Sequence, residues 1–100
     1  MANTFKVLSR AAATTSASTV YTVPSATTAL INNLVITNTA GSSATYTISL
    51  NDVALASGAS VPANDAVILD IRQVLSANQT IKTFASATTV NFHISGIELS

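Results

Sequence analysis

From Ala44 to Leu50 apolar and hydroxyl-bearing residues alternate without a break: Ala44, Tyr46, Ile48 and Leu50 fall on one side, Thr45, Thr47 and Ser49 on the other. A period of two belongs to an extended chain with one face on a core and the other in water. The segment therefore predicts a strand. Asn51-Asp52 follows it and then Val53-Ala54-Leu55, which reads as a tight turn into a second strand, a β-hairpin.

Runs of the same kind recur along the chain. Thr4 to Leu8 predicts a short strand with Phe5 and Val7 pointing one way. Thr19 to Val23 is β-branched and aromatic and stops at Pro24-Ser25, where the missing N–H places proline at a strand end or edge. Ala29 to Thr37 forms a longer run in which Asn32 and Asn33 interrupt the apolar residues and predict a bulge or an edge. Gly58 and the stretch from Pro62 to Asp65 punctuate the next connection. Ala66 to Ile71 and Thr80 to Phe84 are further strands, with a short helical turn expected over Arg72 to Leu75. In the last run, Thr88 to Leu99, the apolar positions change phase at Gly96, from Val90, Phe92 and Ile94 to Ile97 and Leu99, which predicts a bulge or sharp bend there.

Turn signals about every ten residues and no sustained helical period predict an all-β fold. The expected architecture is a single-domain antiparallel β-sandwich or small barrel of about seven to eight short strands. Residues 1–18, poor in groups to bury after Leu8, are expected as an extended N-terminal arm, either a free tail or a segment that lies on a neighbouring subunit; residues 19–100 form the sandwich domain.

Charge is scarce. Asp, Glu, Lys and Arg make up 8% of the 100 residues, with four bases against four acids, where a soluble domain carries roughly 25%. A neutral chain without self-repulsion invites association. Lys6, Arg10, Arg72 and Lys82 are scattered, which argues against nucleic acid as a partner. The chain has no cysteine, so disulfides and thiolate metal sites are excluded. No apolar run approaches a membrane span, and the Ala/Thr/Ser stretch after Arg10 is too polar for a signal-peptide core. A protein made in the cytoplasm and left soluble or assembled is the expectation. Asn78-Gln79-Thr80 matches the glycosylation pattern, without a secretory context to give it meaning.

Catalysis finds little to work with. His93 is the one histidine, on the Asn/Ser side of the last strand, where a surface or interface role outweighs that of a base or metal ligand. Asp52 and Asp65 occupy turn positions where short acids bond local backbone, and Asp70 with Arg72 reads as an edge ion pair. The glycines, Gly41, Gly58 and Gly96, are dispersed and form no phosphate loop. No catalytic residue, cofactor or metal is expected. Phe5, Phe84 and Phe92 read as core or interface anchors. With no tryptophan and only Tyr21 and Tyr46 as tyrosines, stacking of sugars is disfavoured.

The layout from Tyr21 to Leu99, with its opening YTVPS, central LVITNTAGSSATYTISL, VPANDAVILDI, LSANQTIK and closing VNFHISGIEL, resembles a recurring β-rich domain of tailed-bacteriophage virion proteins. The resemblance covers about four fifths of the chain and is structural, bringing no catalytic residues. It implies a virion structural protein. The short chain favours a capsid decoration, or cement, protein bound to the major capsid protein on the outer capsid surface, with assembly as homo-oligomers, trimers among them. Tail, neck or fibre-associated proteins are the alternative, followed by a module that binds host-surface glycans. The contact residues expected are Phe5, Val7 and Arg10 in the arm and Ile97 and Leu99 at the end of the last strand.

Overall fold

The computed structural model describes residues 3–70 and 72–99; Ile71, expected at a strand end, lies outside them. Among the described residues all nine elements are strands: β1 (Asn3–Ala12), β2 (Ser18–Thr22), β3 (Thr28–Asn38), β4 (Ala44–Leu50), β5 (Val53–Val61), β6 (Asp65–Leu69), β7 (Gln73–Leu75), β8 (Thr80–Ala85) and β9 (Val90–Leu99). They form two antiparallel sheets packed as a sandwich. The first has the order β1-β9-β3-β6, with β7 continuing the β6 column along β3; the second has the order β2-β8-β4-β5.

Alternation fills the space between the sheets. Ile31, Leu34, Ile36, Phe92 and Ile94 come from the first sheet and Tyr46, Ile48, Val61 and Ile81 from the second, all buried. Tyr46 and Phe92 meet edge to face, ring centroids 6.4 Å apart and planes at 74°, a geometry the ring quadrupoles favour. Each such side chain gains about 1.5–3 kcal/mol from leaving water.

The β4–β5 hairpin turns on Asn51 (φ 50°) and Asp52 (φ 65°), the left-handed pair that a twisted two-residue hairpin requires. β5 does not stop at Leu55. It runs on through Gly58, whose φ of 61° and N–H bond to Thr47 Oγ1 (3.0 Å) accompany a shifted register against β4. Glycine here permits a bulge rather than ending the strand.

Three further expectations are corrected. Residues 3–12 are not an arm but the edge strand β1, paired with β9 from Asn3↔Leu99 to Ala12↔Asn91. Its backbone completes the ladder of β9, and Leu8 and Ala13 are buried. The chain then crosses to the second sheet, tied by Ala13 N–H to Val90 O (2.8 Å) and Ala85 N–H to Thr14 O (2.9 Å). Residues 73–75 form β7, pairing with Ala29–Ile31, and not a helical turn. Gly96 marks no bulge in β9.

The bulges sit in the strands on either side of Gly96. Leu8 is the extra residue in β1, between Val7↔Ser95 and Ser9↔Ile94. Asn32 is the extra residue in β3, between Ile31↔Gly96 and Asn33↔Ser95, as its polar interruption predicted. β9 keeps its phase, with Val90, Phe92, Ile94 and Gly96 all turned to the core. A Cβ on Gly96 would lie 2.1 Å from Leu30 O and 3.0 Å from Leu8 Cδ1. The bulged neighbours lean in over a position that only glycine fits.

Candidate interaction face

Because β9 keeps its phase, Ile97 and Leu99 point away from the core with Asn91, His93 and Ser95. The register then assembles the outer face of the first sheet row by row, since directly paired residues share a face. One row runs Phe5–Ile97–Leu30–Val74 across β1, β9, β3 and β7. The next holds Val7, Ser95 and Asn33. A third runs Arg10–His93–Val35–Ile68. The bulges at Leu8 and Asn32 keep these rows in step across the sheet.

Much of this apolar surface is open. Phe5 is 80% exposed, Ile68 68%, Val74 65% and Val7 44%, while Leu30, Val35, Ile97 and Leu99 are half-buried. Scattered exposed hydrophobes are normal; a contiguous set on one sheet face marks a contact surface. The outer face of the second sheet differs in kind. Its rows include Thr47 with Phe84 and Ser49 with Lys82, and Thr45 with Ser60, and Lys82 Nζ bonds Asp52 Oδ1 at 2.7 Å. One face is rich in hydroxyls; the other is mostly apolar.

Within its three central rows the apolar face carries one fixed charge, Arg10. Its Nε–H donates to His93 Nδ1 at 3.1 Å, which makes that ring nitrogen an acceptor and leaves the ring hydrogen on Nε2. The two line an open depression of about 250 Å³ with Ala11, Ala12 and Asn91. A second, of about 480 Å³, is lined by Thr37, Asn38, Thr39, Asn64, Asp65 and Ala66. The first contains no carboxylate. In the second, Asp65 Oδ1 accepts from the Ala66 N–H at 2.7 Å, the local bond its turn position predicted. Among the described residues no group of three His, Asp or Glu side chains converges on one point. Asp52 bonds across to Lys82 and not to local backbone. Asp70 and Arg72 form no ion pair, because β6 ends at Leu69 and β7 begins only at Gln73.

All five contact residues expected from sequence, Phe5, Val7, Arg10, Ile97 and Leu99, lie on this one face. Leu30, Val35, Ile68 and Val74 share it and were missed. The signal for Leu30, Val35 and Ile68 was the lack of alternation in the ALINNLVIT and VILDI stretches, which are apolar on both sides; Val74 lies outside both, in a run too short to show a pattern. Phe92 is core, and Phe84 lies half-buried on the polar sheet. No family model matches the chain, and no curated protein or solved structure matches it either.

Proposed function

We propose that the chain is a non-enzymatic structural subunit of a virus particle, a capsid decoration protein that stabilises contacts between major capsid protein subunits. The observation that carries this reading is the apolar outer face of β1, β9, β3, β6 and β7, set against the hydroxyl-rich face of the opposite sheet. Surface of that kind gains about 25 cal/mol per Å² when a neighbour covers it, and a chain with so few charges has little to keep neighbours away. The resemblance of the Tyr21–Leu99 layout to virion domains supplies the setting.

Quantitative mass spectrometry of purified particles tests the reading. Copies on the order of hundreds per particle are expected for a capsid coat, whereas six or about twelve would move the protein to a tail or neck ring. Absence from the particle overturns the proposal.

A further inference from the structure

We propose that the apolar outer face of the first sheet packs against the same face of a second copy, about a two-fold axis parallel to the strands. This rests on the reading of that face as a subunit contact and names its occupant.

The size fits. Four strand columns about 4.8 Å apart and ten residues of about 3.3 Å each make a face of roughly 600 Å². Two such faces together bury roughly 1,200 Å², the lower bound of a stable protein interface. The rows fit as well. An axis parallel to the strands lays the β1 edge of one copy over the β6–β7 edge of the other at the same level. Phe5 then covers Val74 of the second copy, Ile97 covers Leu30, and the Arg10 stem covers Ile68, each contact occurring twice.

Charge complementarity selects this arrangement. Arg10 stands at one margin of the face. At the opposite margin, Asp70 comes directly after the last residue of β6, Leu69, and two residues after outward-facing Ile68. It is exposed and forms no ion pair among the described residues. Above Ile68 of the second copy, the Arg10 guanidinium comes within reach of that copy's Asp70, and the symmetry repeats the pair. Without such a carboxylate, covering Arg10 would strand a cation in a dry interface. An isologous contact of this type closes at two copies.

Sedimentation velocity on the full chain, from about 1 μM to about 500 μM at physiological salt, reads the outcome directly. A species of twice the chain mass is expected. Ile68→Glu and Val74→Glu, at exposed positions that leave the core untouched, should each weaken it about 100-fold. Arg10→Glu and Asp70→Arg should each weaken it, and the double exchange should restore it. A monomer throughout, a trimer, a dimer indifferent to Ile68→Glu and Val74→Glu, or an exchange that fails to restore pairing overturns the proposal. Particle composition is measured separately, so a monomer that still coats particles defeats the pairing and leaves the structural role standing.

Discussion

The Tyr21 hydroxyl donates its hydrogen to Glu98 Oε2, joining β2 of one sheet to β9 of the other at an end of the sandwich. Lys6 Nζ from β1 approaches Oε1 of the same carboxylate at 3.4 Å. Glu98 thus links three strands from both layers. Burial, the hydrogen bond to Glu98 and the Glu98 charge, in that order, push the Tyr21 hydroxyl well above its ordinary 10.0.

Tyr21→Phe removes the donor and leaves Glu98 with Lys6 alone. A loss of about 1 kcal/mol is expected in urea unfolding at pH 7. The alkaline limb carries a clearer signature. A raised folded pKa means that the linkage contribution is fully present below pH 10, where unfolded tyrosine holds its proton, and is lost as pH climbs beyond it. The wild-type protein should therefore lose stability more steeply above pH 10 than the phenylalanine variant. Parallel alkaline limbs would contradict the link.

Gly96→Ala should be among the most damaging single changes in the chain. The added methyl meets the Leu30 carbonyl at 2.1 Å, and backbone in a paired strand cannot step aside as a flexible side chain would. A cost of about 3 kcal/mol or failure to fold is expected. Gly41→Ala, with nothing within 4 Å of the new atom, is the control and should stay within about 0.5 kcal/mol of wild type in the same thermal melt.

Asn38 is buried and uses its whole amide. Nδ2 donates to Ser42 O (2.8 Å) and Pro62 O (3.4 Å), while Oδ1 accepts from Ala40 N–H (3.1 Å) and Thr89 Oγ1 (3.1 Å). It binds the loop after β3 to the β5–β6 connection and the start of β9. Asn38→Asp keeps the shape but turns a carboxylate oxygen toward two carbonyls. Chemical denaturation should show a loss of about 2–3 kcal/mol at neutral pH, partly recovered at acid pH where the carboxyl is neutral.

Ala26 holds a φ of 57° in the turn between β2 and β3, a region where its Cβ is crowded. Glycine accepts that conformation freely, so Ala26→Gly should raise the melting temperature, by an amount equivalent to about 0.5 kcal/mol after the added freedom of the unfolded chain is offset. No gain on calorimetry would place the strain elsewhere.

The all-β class and most strand positions were legible because alternation and turn residues are local. Ala44–Leu50 and the Asn51-Asp52 turn stand where the pattern put them. What escaped was decided by pairing at a distance. Residues 9–12 carry no strand pattern of their own and are extended because β9 offers them a ladder. Arg72 to Leu75 could be read as a helical turn because four residues are too few to show a period, and Ala29–Ile31 settles Gln73–Leu75 as a strand. The outer face was half visible. Its β1 and β9 members were recognised, whereas Ile68 and Val74 sit in short runs whose facing depends on register with β3. Nor could the sequence distinguish a phase slip at Gly96 from a straight strand with both faces dry.

The extra residue at Leu8 has a consequence for how the first strand tolerates change in length. Before it, odd-numbered side chains such as Phe5 and Val7 look outward; after it, even-numbered ones such as Arg10 and Ala12 do. Deleting Leu8 would make the strand perfectly regular and still leave both sets outside. Deleting a residue on only one side of it while keeping the kink would force a choice, with either the guanidinium or the phenyl ring turned into the core. The irregularity acts as a frame marker: it fixes which message each half of the strand presents to the outside.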